Sequence, residues 1–357
     1  VRIAITGATG NLGTALLRRL SSDGHELVGL ARRVPEPGAP EPVGWPRVAW
    51  HAVDLTDDAS LPTLEAAFAG ADAVVHLAWG FQPSHDLAYL RELGVGGTRR
   101  VLQAVTAAGV PHLVHMSSVG AYSPKQDDAP VTEDWPTHGV PTSRYSRHKA
   151  TAERLLDEHE AAHETLVTRV RPGIVGQRAA ASALMRYGLP AVVPGALLDL
   201  LPVLPLDRGF TIPVVHADDV ADLVARAVDQ RAGGAFNVAA DPPLTAALFA
   251  EVLGAKHVHV PSGLMRPLVS ASWHLHLQQV DTGWFDLAFA VPLVDTTRAR
   301  TELRWSPSHD AAEVMREVVE GMRDRASGPT PVLRPRSVLS ALADAARRGP
   351  AGQRHLP

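Results

Sequence analysis

The chain opens on a short β-branched run, Val1-Arg2-Ile3-Ala4-Ile5-Thr6, and then passes through Gly7-Ala8-Thr9-Gly10-Asn11-Leu12-Gly13. Leu12, Ala15, Leu16, Leu17 and Leu20 follow at helical spacing. A strand that feeds a helix through three glycines, each three residues after the last, leaves few folds to choose from. Gly7 allows the tight turn, Gly10 lets backbone approach a pyrophosphate, and Gly13 lets helix and strand pack closely. Unpaired N–H groups at the helix start would receive the anion. The plain alternative is a tight strand–helix turn without a ligand; the position directly after an apolar strand favours phosphate binding.

The rest of the chain keeps that rhythm for some 170 residues. Strand runs at His25–Ala31, Val48–Val53, Ala73–Ala78, His112–Ser117 and Thr165–Arg171 alternate with helical stretches at Leu61–Phe68, Leu87–Ala108 and Tyr145–His159. Ala73–Ala78 is almost wholly apolar, as expected of a strand covered on both faces. The pattern predicts an α/β fold with a doubly wound parallel sheet of Rossmann type. Residues 1–172 form the dinucleotide-binding domain, and 210–240 return to it through a helix after Asp218-Asp219 and a strand at Ala235–Val238. Residues 173–209 and 241–325 read as a smaller, mostly helical substrate domain. Residues 326–357, rich in Pro and Arg around one helical segment at Val338–Arg347, read as a peripheral tail.

Composition removes whole classes of function. There is no cysteine, so disulfides, thiolate metal sites and a catalytic thiol are excluded. The net charge of −4 argues against a nucleic-acid partner. With no run of about 18 apolar residues and no signal-peptide layout, a cytoplasmic protein without membrane contact is expected. His257 and His259, like His274 and His276, alternate as on a strand face. No further ligand completes a metal spacing, so they read as surface or core histidines and no metal is expected. Trp273, Trp284 and Trp305 are expected to pack the second domain, with Asp218-Asp219 capping a helix.

The end of the second strand selects the cofactor. NAD sites place a carboxylate there for the ribose, whereas NADP sites offer arginine to the 2′-phosphate. Here the residues are Leu30-Ala31-Arg32-Arg33, so NADP is expected, with NAD the second choice. Asp54, at the end of the third strand, is placed either to accept a hydrogen bond from adenine or to cap the following helix. Further on, Tyr145 and Lys149 stand four apart on one helical face. A lysine cation favours the phenolate and would lower the tyrosine pKa from about 10. Ser117 and Ser118 end a buried strand, where a hydroxyl points into the crevice.

Taken together, TGATGNLG (6–13), DL (54–55), HLA (76–78), MSSVGAY (116–122), YSRHK (145–149), RPG (171–173), VVHADDVA (214–221) and FNVA (236–239) resemble an extended short-chain dehydrogenase/reductase of the NAD-dependent epimerase/dehydratase family. That resemblance implies Tyr145 as acid/base, Lys149 as its partner on the nicotinamide ribose, and Ser118 as the hydroxyl that orients the reacting oxygen. It also implies a cofactor groove that adds Thr9, Asn11, Leu12, Leu55, Leu77, Ala78, Trp79, Ser117 and Pro172 to the glycines and arginines. Helices around 87–108 and 144–160 would pair in a homodimer.

Three departures narrow the function. Members often carry Asn-Val-x-Gly-Thr before the long helix; this chain has Gly94-Val95-Gly96-Gly97-Thr98. Val119-Gly120 replace the Asp-Glu of sugar dehydratases, and Ile174 stands where nucleotide-sugar enzymes place Asn. The first removes a polar support near the active site, the second disfavours a 4,6-dehydratase, and the third, with the apolar stretch 184–206, points to a small, rather hydrophobic carbonyl or alcohol as substrate. The expected activity is an NADP-dependent oxidoreductase. An epimerase and a non-catalytic cofactor sensor are the alternatives.

Overall fold

The computed structural model describes residues 1–35, 45–80, 85–188 and 202–334. The helical segment read at Val338–Arg347 and much of the apolar stretch 184–206 lie outside them. The main sheet holds β1 (Arg2–Thr6), β2 (Glu26–Ala31), β3 (Val48–Ala52), β4 (Ala73–His76), β5 (His112–Met116), β6 (Leu166–Pro172) and β7 (Gly234–Val238). Their order is β7-β6-β5-β4-β1-β2-β3, and every pairing is parallel. The chain winds outward from β1 to β3, then crosses back to β4 and winds the other way. That reversal opens a crevice between the carboxyl ends of β1 and β4, the usual place for a ligand in such sheets.

Strand alternation decides what each face buries. Ile3 and Ile5 point to the side covered by α1 (Asn11–Arg19) and by the helix Ala217–Asp229, where they meet Leu16, Leu17, Val220 and Val224. Ala4, Val74 and Leu113 point to the other side, against α2 (Leu61–Phe68), α3 (Gly97–Ala108) and α4 (Arg144–Ala162). β4 and β5 are buried along their whole length, which explains their apolar composition.

A smaller body sits over the carboxyl edge. Short strands Ile174–Gly176 and Val214–His216 pair in parallel, Thr211–Ile212 pairs with Leu244–Thr245, and Val203–Leu206 pairs with Lys256–His259. Helices at 246–253, 262–274, 282–290 and 311–323 complete it. Its core gathers Val119, Tyr122, Phe210, Ile212, Leu287, Val291 and Val314, so the main sheet's strand-end loops and the smaller body share one apolar cluster.

Several local expectations need correction. The stretch Leu87–Ala108 is not one regular helix: a π-helical turn at Glu92–Gly96 interrupts it, where Gly94, Gly96 and Gly97 offer little to hold an α-helical register. Trp305 packs with Ala299 and Leu303 into the core of the main sheet and donates to the Asp219 carbonyl (2.8 Å). His274 closes a helix and His276 follows at positive φ, so they share no strand. The cap of Ala217–Asp229 is His216, whose Nδ1 accepts from the Asp218 amide. Asp218 and Asp219 lie in that helix's first turn instead, where negative charge meets the positive end of the dipole. Finally, the start of the tail is not peripheral. Thr330 Oγ1 donates to the Thr9 carbonyl at 2.8 Å, and Leu333 is buried against Ala180 and Ala183.

Candidate active site

The glycine turn has the shape that its sequence requires. Gly7 adopts φ +74°, and a Cβ there would lie 2.8 Å from the Ala78 amide nitrogen. At Gly13 a Cβ would come within 2.4 Å of the Gly7 carbonyl oxygen. Gly10 is different: its Cβ would meet only the Gly7 oxygen, at 3.1 Å, so its absence keeps open space rather than relieving a clash. Gly10 caps α1 without a side-chain hydrogen bond, leaving the first amides of the helix for a ligand. This cradle fits a dinucleotide pyrophosphate. Asn11 ties it to the opposite wall: its amide donates to the Val175 carbonyl (3.2 Å), and Gln177 donates to Asn11 Oδ1 (2.6 Å).

A cavity of about 380 Å³ runs from this turn along the carboxyl edge. Gly7, Thr9, Gly10, Asn11, Leu12, Gly13, Arg32, Arg33, Leu55, Leu77, Ala78, Trp79, Ser117, Ser118, Tyr145, Lys149 and Pro172 all line it. Arg32 sits over the Tyr89 ring, 5.5 Å from its centroid. Among the described lining residues there is no aspartate or glutamate. Asp54 is the exception to the expected set. Its Oδ1 accepts from the Thr56 amide and hydroxyl (2.9 and 2.8 Å), so it caps the chain after β3 while its neighbours Val53 and Leu55 line the groove.

Tyr145 lies in the first turn of α4, which Ser143 caps by accepting from the Ser146 amide. The phenol shares a hydrogen bond with Ser118, and Ser118 Oγ also accepts from the Gly120 amide (3.0 Å). A Cβ on Gly120 would sit 2.9 Å from the tyrosine ring, so glycine there lets the ring in. Trp284 stacks on the ring at 4.7 Å, and Trp79 meets it edge to face at 6.4 Å. Lys149 is buried; its Nζ donates to the Met116 carbonyl (2.7 Å) and stands 3.6 Å from the centre of the Trp79 ring.

The acidified phenol expected from the Tyr–Lys spacing is not what the site displays. Burial pushes the Tyr145 pKa up, and the Ser118 hydrogen bond only partly opposes it. Burial also drives Lys149 well below the usual lysine range, against the field of Glu153. Desolvation acts on each group alone, whereas the helical spacing speaks only of their proximity.

Behind the site runs a polar chain that motif reading missed. Ser117 Oγ donates to Glu153 (2.6 Å), which receives Arg171 through both oxygens (2.9 and 3.0 Å). Arg171 also donates to the Tyr122 hydroxyl, which in turn donates to Asn237. Burial alone would raise the Glu153 pKa, but the Arg171 guanidinium holds it below the usual carboxylate range. The chain fastens the end of β5, at Ser117, to α4, β6 and β7. The spacing of Glu153, one turn beyond Lys149, was the available signal. His76 and His115 lie beneath the same end of the sheet. Burial drives His76 down to about 3, with Lys149 adding to the effect, and pushes His115 well below the usual range, so both are neutral.

Beyond Tyr145 the cavity wall is apolar. Ile174, Ile212, Trp284, Leu287, Val291 and Leu333 form it. Trp284 therefore belongs to the site, not only to the packing of the smaller body. Leu333 and Val332 bring the described part of the tail into the same wall.

With this geometry in hand, comparison with known proteins decides the family. Residues 3–239 match the model of the NAD dependent epimerase/dehydratase family. The chain belongs to that family. It is 27% identical over 342 residues to a UDP-glucose 4-epimerase of Mycolicibacterium smegmatis, covering 91% of this chain and 99% of the relative. It is 28% identical over 328 residues to a 3-diazoavenalumate denitrifying reductase of a Streptomyces species, covering 87% and 97%. An uncharacterized protein of Mycobacterium tuberculosis is 28% identical over 91% of this chain, which spans only 30% of that protein's length. Among solved structures, a UDP-glucose 4-epimerase of Thermus thermophilus complexed with NAD superposes with a TM-score of 0.65 at 21% identity, covering 90% of this chain and 99% of the other. The relatives thus include both epimerases and a reductase.

Proposed function

We propose that this family member is an NADP-dependent oxidoreductase that interconverts a carbonyl and an alcohol on a small, hydrophobic substrate. The observation that carries the proposal is the convergence of Tyr145, Ser118 and Lys149 on a cavity whose far wall is apolar. Gly7, Gly10, Gly13 and the start of α1 would hold the pyrophosphate, Arg32 and Arg33 the 2′-phosphate, Lys149 the nicotinamide ribose, and Pro172 the nicotinamide ring. When bound, the dinucleotide supplies or accepts the hydride. Ser118 orients the substrate oxygen, and Tyr145 delivers a proton to it during reduction or withdraws one during oxidation. Holding that oxygen beside a fixed phenol supplies orientation, and Trp284 and Trp79 exclude water from it. The apolar residues Ile174, Ile212, Leu287 and Val291 disfavour a nucleotide-sugar diphosphate, whose charges would find no partner there.

An epimerase is the second reading, favoured by the relatives' names and by the Thr330–Thr9 contact, which suits a cofactor that stays bound. The two separate on net NADPH consumption: a reductase oxidises NADPH in step with substrate, and an epimerase leaves it unchanged. We also propose a homodimer formed through the helices around 87–108 and 144–160. Tyr145→Phe tests the chemistry. Turnover across a panel of hydrophobic ketones should fall by about 10²–10⁴-fold while NADPH affinity stays similar. Retained turnover would remove Tyr145 from the mechanism.

A further inference from the structure

Lys149 places an ammonium where burial works against its charge. Its hydrogen bond to the Met116 carbonyl supplies one partner. Glu153, one turn along α4, has both oxygens engaged by Arg171 and one of them by Ser117 as well. The contact on its other side is aromatic, with Nζ 3.6 Å from the centroid of the Trp79 ring. A cation over an indole face is drawn by the ring quadrupole, more strongly where water is excluded. The same indole meets Tyr145 edge to face, at 87°. Gly94 backs the ring: a Cβ there would lie 3.0 Å from two of its carbons. The π-helical turn and its glycine thus leave room for Trp79 to reach both members of the Tyr–Lys pair.

We infer that Trp79 is a positioning residue, whose indole face keeps the Lys149 ammonium charged and aimed into the cleft while its edge fixes the Tyr145 ring. This inference rests on the oxidoreductase reading for what the aimed lysine does. The titratable and charged groups around Lys149 are His76 on β4, His115 on β5, Tyr145 and Glu153 on α4, and Arg169 and Arg171 on β6. Both histidines are neutral, Glu153 holds the Arg171 guanidinium above its usual range against the effect of burial, and burial holds the Tyr145 phenol above its own. An alkaline loss of cofactor binding therefore belongs to Lys149. Its charged form dominates below its pKa and vanishes above it, so removing the indole moves that loss to lower pH.

The test is the Kd of NADPH against pH, read by nucleotide fluorescence on the full chain without substrate, beside kcat. Trp79→Leu should move the alkaline limb about one pH unit toward acid and lower kcat at least about tenfold. Trp79→Phe keeps a ring face and should shift the limb by less than Trp79→Leu. The inference is overturned if the wild-type protein has no alkaline limb, if Trp79→Leu leaves the limb in place, or if Leu and Phe shift it equally, which would mean packing alone. Should Trp79→Leu fail to fold, an unshifted limb in Trp79→Phe overturns it. Turnover surviving Tyr145→Phe would instead sink the oxidoreductase reading and leave the Lys149 titration to decide the indole contact.

Discussion

One wall of the cavity comes from a few stretches close in sequence, chiefly Thr6–Gly13 and Leu30–Arg33, whereas the facing wall collects Ile174, Ile212, Trp284, Val291 and Leu333 from separate segments. The first works through backbone: amides at a helix start and positions where a Cβ would clash or fill the groove. The second works through side-chain volume; Ile174 marks it in the sequence, but Ile212, Trp284, Val291 and Leu333 carry no local signal of the cleft. A pyrophosphate is the same in every member of such a family, so one turn suffices to bind it. A substrate differs from member to member, and its wall is assembled by whatever the smaller body brings near.

Perturbing each wall in turn should separate binding from substrate handling. Arg32→Ala belongs to the cofactor wall and carries the biggest change. Losing a charge-assisted hydrogen bond to phosphate costs about 1.5–3 kcal/mol, so selectivity for NADPH over NADH should fall about ten- to a hundredfold. Titrating both nucleotides checks it, and an unchanged ratio would return the arginines to solvent. Trp284→Ala belongs to the facing wall. Its stack on Tyr145 is worth about 0.5–1.5 kcal/mol beyond buried area, so kcat/KM should drop by up to about tenfold, with the NADPH Kd little changed. A matching loss in cofactor affinity would show that the two walls do not act separately. Thr330→Val cuts the hydrogen bond that joins the tail to the glycine turn. About 1 kcal/mol is at stake, and stopped-flow release of NADPH should quicken by about fivefold. Unaltered release would mean that the tail merely packs against the turn.

The same contrast explains what could be read in advance. The alternation of apolar strands with helices, and the glycines after β1, announce a parallel sheet with a crevice, because strand burial and positive φ leave their mark within a few residues. Asp54 was ambiguous for a related reason: a carboxylate after a strand serves a cap or a ligand equally well, and only the nearby Thr56 hydroxyl and amide settle its partner. Nothing near Trp284 or Leu333 in the chain speaks of the cleft, so the sequence reads as packing at the one and as tail at the other. The Tyr–Lys spacing placed two side chains on one helical face, but the pKa of each depends on water excluded by Trp79, Trp284 and the sheet beneath.

By itself, then, the order of residues determined the layered sheet, the glycine turn, the arginines at the end of β2 and the Tyr–Lys pair, all of which are properties of short stretches and their periodicity. Tertiary structure alone decided which separate segments build the wall opposite, that Thr330 reaches back to Thr9, and that Lys149 lies against an indole rather than a carboxylate. Those depend on contacts between residues tens to hundreds of positions apart, where burial and packing, not local propensity, set the energies.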